Sequence, residues 1–383
     1  MSMWSKNAIF YGILYLIFVG SFLFLIKNNG KDNIQFIHFA KYIKTEQNNI
    51  APEEVTIKKS YKPKVVRGIY LTAYSAGSDT FRTGIINNIK NGTKINSVVI
   101  DIKDYSGYIL YNSQLTELKE IDAIRTRMPD VKKVLDEFHQ ANIYVIARLT
   151  VFQDPVLAKA RPDLAFKTHA GNTWYDNKGL AWMNPNKKEV WDYNLAIAKE
   201  AAELGFDEIN FDYMRFPSDG NMGSLDYDMT EGQTKAQVMD NFFSFLEKNL
   251  SGQIPTSIDT FGLVLDNIDS GYDLNIGQKL TELADHFDYV SPMMYPSHYP
   301  LTYLGFANSA EHPGAVIAYG LDISSSTMAT KKSKLRPWLQ AFNLRAVYTQ
   351  ELIEAQEIAT ENVTTTDGWL LWNARNYYPE FIF

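Results

Sequence analysis

The run EINFDYMRFPSDG (208–220) sets Asp212 and Arg215 among Ile209, Phe211, Tyr213, Met214 and Phe216. A strand about to enter a core should carry neither charge, because a buried carboxylate is costly unless it is paired or hydrogen-bonded. The placement recurs along the chain: short apolar runs acquire charged, amide or polar-aromatic residues near their C-terminal ends. SVVIDIKD ends in Asp101, Lys103 and Asp104, and NIYVIARLT carries Arg148. PTSIDTFG carries Asp259, and DYVSPMMYP reaches Tyr295 with His298 just beyond. KLRPWLQAF holds Trp338 and Gln340, and GWLLWNA ends in Trp372 and Asn373.

Two carboxyl groups facing one cleft suit glycosidic bond cleavage, in which one protonates the leaving oxygen and the other serves as nucleophile or base. Asp212 and Asp259 form the first such pair, with Asp101 and Asp104 in reserve, and Arg148, Arg215 and Lys103 are the cations available to balance them. Trp174, Trp182, Tyr295, Trp338 and Trp372 offer faces for the apolar side of a sugar ring, and Gln340 and Asn373 offer hydrogen bonds to its rim. His298 is placed to bind a hydroxyl or to tune a carboxylate. Each reading has a plainer competitor. Asp212 and Arg215 can be an ion pair that pins a loop, and a single tryptophan can be core packing, the preferred reading for Trp191 and Trp369.

These residues need strands to position them. Eight runs rich in β-branched and aromatic residues are predicted as strands, at 65–73, 97–104, 142–150, 207–216, 255–262, 288–296, 334–342 and 368–374. Amphipathic patterns such as 131–142 and 190–205 lie between them, the latter ending at a glycine placed to cap it. Eight strand–helix units match an α/β chain folded as a (β/α)8 TIM barrel, in which all strand C-termini converge on one face and form the site. On that reading Asp212 points into the mouth, while Phe211 and Tyr213 face the opposite way. A doubly wound open sheet is the runner-up, weakened because no G-x-G-x-x-G or P-loop follows an early strand. After Ala374 only RNYYPEFIF remains, so the barrel closes with a stub or with help from residues 34–43.

Composition narrows the classes. A net charge of −7 without a basic stripe argues against nucleic-acid binding. The absence of cysteine excludes thiol catalysis, cysteine-ligated zinc and iron–sulfur clusters. Histidines are scattered, and neither DIKD nor SLDYDM has the spacing of a calcium loop, so neither a metal nor another cofactor is expected. Residues 7–26 carry no charge and are long enough to cross a bilayer as a helix of ~20 residues. They read as an uncleaved membrane anchor. A secretory signal cut near Val19-Gly20-Ser21 is the competitor. The expected organisation is an anchor or signal at 1–27, a polar stalk at 28–63 and a folded body at 64–383. The expected location is the cell membrane, single-pass, with the body outside the cell, or secretion if the segment is cut.

VRGIYLTA, VVIDIKDYSG, INFDYMRFP, MMYPSHY, LRPWLQAF and WLLWNA, in that order on successive strands, resemble the putative glycosyl hydrolase family of TIM-barrel domains, itself distantly similar to α-amylase-type barrels. The resemblance runs from about Val66 to Asn373 and implies the barrel fold and glycosidase activity. It aligns Asp212 with the carboxylate of the family's F-D-Y-x-R-F-P motif, Asp259 with the acidic position of the next strand, and His298 with the histidine of Y-P-S-H-Y. The sequence departs from α-amylase-type barrels where those present a glutamate after strand five; here the region offers Asp259, Asp266 and Asp269. The expected function is a membrane-anchored hydrolase of a cell-surface or extracellular polysaccharide. The alternative is a barrel that binds glycans without cutting them.

Overall fold

The structure is a computed structural model that describes residues 62–383. The anchor at 7–26 and all but the end of the stalk lie outside the described residues. Among the described residues no helix is long and apolar enough to cross a membrane.

Eight parallel strands close a barrel: β1 (Val66–Leu71), β2 (Ser97–Lys103), β3 (Tyr144–Thr150), β4 (Glu208–Asp212), β5 (Thr256–Phe261), β6 (Tyr289–Met294), β7 (Trp338–Gln340) and β8 (Gly368–Trp372). Each pairs with the next, and β8 pairs back onto β1 in the register Val66 to Gly368. Gly368 sits at that closing seam with φ of +83°, and a Cβ there would fall 1.7 Å from the Val66 carbonyl oxygen. No residue with a side chain fits so close to the neighbouring backbone.

Both faces of the strands are buried, as a parallel sheet wrapped in helices requires. Val98, Ile100, Ile209, Phe211, Ile258 and Leu371 face outward into the main core, while Val66, Tyr70, Val99, Tyr144, Ile146, Trp338 and Leu370 pack inside the barrel. The outer ring is built by α1 (Asp79–Asn91), α2 (Val131–Gln140), α3 (Lys188–Leu204), α4 (Lys235–Leu250), α5 (Pro313–Met328) and α6 (Gln350–Glu361). In α2 the buried residues Val131, Val134, Leu135 and Phe138 follow the helical period, and the Asp130 side chain caps its N-terminus. α3 ends at Gly205, in the left-handed conformation at φ +104°.

The regular pattern of eight strand–helix units is loosened in three places. Between β5 and β6 the chain forms only a 3-10 segment, Gly262–Asn267, and the short helix Leu280–Leu283. The single strand expected at 334–342 is split into Lys334–Leu335 and β7, because Pro337 has no N–H to donate to the ladder. Beyond β8 the chain ends in a 3-10 turn, Glu380–Ile382, and the Phe383 carbonyl oxygen accepts from the Thr93 and Lys94 amides at 2.8 and 3.0 Å. Residues 34–43, the other cover expected for this end, lie outside the described residues.

Deep in the barrel lies an ion pair. Glu208 accepts from Arg336 Nη1 at 2.9 and 3.0 Å, from Ser257 Oγ at 2.6 Å and from Tyr144 Oη at 3.3 Å, and the Arg336 guanidinium lies 3.5 Å from the Tyr289 ring centroid. Neither partner is exposed to solvent. The Arg336 Nε donates to the Asp367 carbonyl at 3.3 Å, while Nη2 is buried without an acceptor among the described residues, so the Glu208 carboxylate and the Tyr289 face carry the pairing.

Candidate active site

The inward positions of β4 are Glu208, Asn210 and Asp212, one polar residue every second position from base to mouth. Glu208 is taken by the ion pair below. Asn210 and Asp212 reach the next layer, where Arg148 of β3 is the hub. Arg148 Nη1 donates to Asp101 Oδ1 at 2.6 Å, Nη2 donates to Asp212 Oδ2, and Nε lies 3.6 Å from Asp259 Oδ2. One guanidinium therefore faces carboxyl groups from β2, β4 and β5. The strand registers explain the convergence: Asp101 stands opposite Arg148, and Phe211 opposite Ile258, so Asp212 and Asp259 follow one step further on adjacent strands.

The remaining contacts differ for each carboxyl group. Asp212 Oδ1 accepts from the Tyr213 amide at 2.5 Å. Asp101 Oδ2 accepts from Tyr70 Oη at 2.5 Å, which makes Asp101 a support beneath Arg148; burial pushes its carboxyl up. Asp259 Oδ1 accepts from Trp338 Nε1 and from Asn210 Nδ2, each at 2.8 Å, leaving Oδ2 turned toward Arg148. Burial, reinforced by the neighbouring charge of Asp212, pushes Asp259 up to about 8. A carboxyl group with that pKa holds its proton at neutral pH and can give it up.

Above this layer opens a cavity of about 440 Å³, lined by Arg148, Asp212, Tyr213, Arg215, Asp259 and Phe261 with Tyr295, His298, Trp338 and Trp372. Trp372 stacks on Tyr70 at 4.0 Å between ring centroids and meets Trp338 edge-on at 5.5 Å. His298 is exposed at the rim, its Nδ1 3.1 Å from Ser297 Oγ, and partial burial together with Arg345 pulls its imidazole below the usual range.

The structure thus brings Asp212, Asp259, Arg148, Arg215, Tyr295, His298, Trp338 and Trp372 to one cavity, with Asp101 directly beneath. The other expected site residues are placed elsewhere. Lys103 is fully buried outside the barrel, 2.6 Å from Asp154 Oδ2 and 3.2 Å from Asn194 Oδ1 of α3. The register of β2 against β3 shifts between Asp101 and Lys103, so the alternation that would aim Lys103 inward is broken. Asp104 accepts from the amide and hydroxyl of Ser106, closing a turn. Gln340 is spent on the Ser297 amide and the Phe342 carbonyl, and Asn373 on the Ala341 and Tyr377 carbonyls and the Arg375 amide, so both tie loops together instead of facing the cavity. Trp174 is buried with Nε1 on the Asn221 carbonyl, and Trp182 lies behind Arg215 with Nε1 on Asp176.

One expectation and one competing reading are overturned. Tyr213 does not face away from the mouth but lines the cavity, because β4 stops at Asp212 and Tyr213 takes a left-handed φ of +54° that ends the alternation. The ion pair between Asp212 and Arg215 is not formed, since Asp212 is held by Arg148. Tyr70, Asn210 and Phe261 join the site although no role was read for them. For Asn210 the signal was present, two positions before Asp212 on the same face.

Comparison with known proteins comes to the same fold. A family model described as a putative glycosyl hydrolase domain matches residues 68–378. A hypothetical protein from Ruminiclostridium thermocellum is 41% identical over 50% of this chain and 96% of its own, with a TM-score of 0.47. The glycoside hydrolase domain of PgaB (BpsB) from Bordetella bronchiseptica superposes with a TM-score of 0.58 at 14% identity, over 83% of this chain and 95% of its own. The α-galactosidase TtGalA from Thermus thermophilus gives 0.52 at 11% identity, over 84% and 64%. No curated protein matches the chain.

Proposed function

Because this chain belongs to the putative glycosyl hydrolase domain family, we propose that it hydrolyses glycosidic bonds in a cell-surface or extracellular polysaccharide, with Asp259 as proton donor and Asp212 as nucleophile or base. One observation carries the assignment: two carboxyl groups on adjacent strands meet at the cavity floor, and burial beside Asp212 pushes Asp259 up to about 8. Glycoside hydrolysis asks for this division of labour between two carboxyl groups. Asp259 gives its proton to the glycosidic oxygen as the bond to the anomeric carbon breaks. Asp212, oriented by Arg148 and by the Tyr213 amide, attacks that carbon or takes a proton from the attacking water. Trp372, Tyr295, Tyr213 and Phe261 supply apolar walls for the C–H faces of the sugar, and His298 stands at the rim for a hydroxyl.

The charge-free segment 7–26 supports placement at the cell membrane with the barrel outside, where such a polymer would be met.

The test is release of reducing ends from a panel of cell-wall and extracellular polysaccharides by the full chain, alongside Asp212→Asn and Asp259→Asn. Folded variants without activity, beside an active wild type, support the assignment. Glycan binding without release, unchanged in both variants, would favour a barrel that holds sugar without cutting it.

A further inference from the structure

The buried arginines of the described chain are all paired with carboxylates, and half-buried Arg215 is not. Arg82 pairs with Asp79 and Glu137, Arg148 with Asp101 and Asp212, and Arg336 with Glu208. Arg215 lines the cavity next to Asp212, yet among the described residues no carboxylate oxygen lies within 4.0 Å of it. Its Nη1 donates to the Phe216 carbonyl at 3.0 Å and to Ser218 Oγ at 3.1 Å, while Nε and Nη2 have no protein acceptor among the described residues. Three rings hold the guanidinium in place, with centroids at 4.6 Å (Phe261), 5.0 Å (Trp182) and 5.4 Å (Tyr213).

Aromatic faces repay part of the cost of removing a cation from water, but they do not satisfy N–H donors. Burial accordingly pulls the Arg215 guanidinium below its usual range. A planar fork with unused donors, held beside the two carboxyl groups assigned to catalysis, matches a bidentate oxyanion. The chain as a whole carries a net charge of −7, so an acidic ligand gains nothing from the protein's overall charge and needs a local cation.

We propose that Arg215 is a specificity residue that takes an anionic substituent of the glycan, a uronate carboxylate or a phosphate or sulfate ester, on a sugar beside the bond to be cut. The inference rests on the glycosidase reading for the identity of the ligand, but not on turnover. The cavity's polar groups then divide into a reacting pair and an anion anchor, with the Trp182 ring 5.0 Å behind the anchor.

The experiment is calorimetric binding to the full chain carrying Asp259→Asn, which stops turnover without altering Arg215. The probes are hexasaccharides bearing carboxylate, phosphate or sulfate groups, each beside its carboxyl-reduced, dephosphorylated or desulfated counterpart. At least one acidic probe is expected to bind about tenfold or more tightly than its neutral counterpart, the scale of charge-assisted hydrogen bonds. Arg215→Gln removes the preference, and Arg215→Lys, a point charge without the fork, keeps only part of it. The member of the panel that responds identifies which oxyanion is taken. The proposal falls if no acidic probe is preferred, or if Arg215→Gln keeps the preference while melting at the wild-type temperature. Wild-type cleavage of neutral glycans with no charge preference would leave the hydrolase reading standing and remove this one. Charge-selective binding abolished by Arg215→Gln, in a wild type that cleaves nothing, would do the reverse.

Discussion

Replacing Asp259 with asparagine separates the proton donor from its shape. The amide keeps an oxygen for Trp338 Nε1 and Asn210 Nδ2 but can never ionise. Asp259 rises from 3.8 to about 8 in the fold. Below 3.8 the folded and unfolded chains both hold this proton, and the group's contribution is fully present. Between 3.8 and about 8 the unfolded chain has lost the proton while the folded chain keeps it, so stability falls as pH rises, by about 1.4 kcal/mol per pH unit for this group. Over the window the loss accumulates to the order of 5 kcal/mol, and the asparagine variant is spared it. Denaturant titrations of wild type and Asp259→Asn at a series of pH values from 4.5 to about 8.5 should therefore show the variant gaining on the wild type at each step, while it releases no reducing ends. Groups remote from this layer are present in both proteins, so their contributions cancel in the difference. Wild-type activity should decline as pH rises past about 8, where Asp259 gives up its proton. A stability difference that stays flat across the range would mean that Asp259 ionises like an exposed carboxylate. The acid assignment would then be refuted whatever the activity data said.

Trp338→Phe removes the N–H that stabilises ionised Asp259, so the alkaline limb of the activity profile should move up by roughly half a unit to one unit, the equivalent of about 1 kcal/mol; a downward move would contradict the hydrogen-bond geometry. Glu208→Gln leaves Arg336 charged in a site closed to solvent and should cost roughly 3–5 kcal/mol in denaturant titration, although the residue lies below the cavity. Gly368→Ala sets a Cβ against the Val66 carbonyl at the closing seam and should cost at least about 3 kcal/mol. Gly84→Ala, on an exposed face of α1 with nothing within 4 Å, should instead gain roughly 0.5–1 kcal/mol, so the pair tests whether space and φ decide the sign.

Side-chain alternation is the part of this protein that the amino-acid order determines on its own. A strand with both faces buried must still show polar residues wherever its inner face meets the mouth, and period two makes these visible in EINFD, where Glu208, Asn210 and Asp212 share a face. Local reading of this kind, by alternation, by β-branched and aromatic enrichment and by a capping glycine, located the eight strands, the end of α3 and the cavity aromatics Trp338 and Trp372. It reached no further than the regular ladder. A register shift in β2 turned Lys103 out of the barrel, Pro337 cut one strand in two, and a single left-handed residue swung Tyr213 into the cavity. Residue type was equally blind to competition for hydrogen bonds: Gln340 and Asn373 look like sugar ligands in isolation and prove to be occupied by loop backbone. Only the closed barrel could make Arg148 the common partner of carboxyl groups more than a hundred residues apart in the chain, and only its burial beside Asp212 could raise the proton affinity of Asp259. Alternation is a property of neighbours along the chain, legible in order. Charge coupling and desolvation are properties of neighbours in space, which exist only once the strands have met.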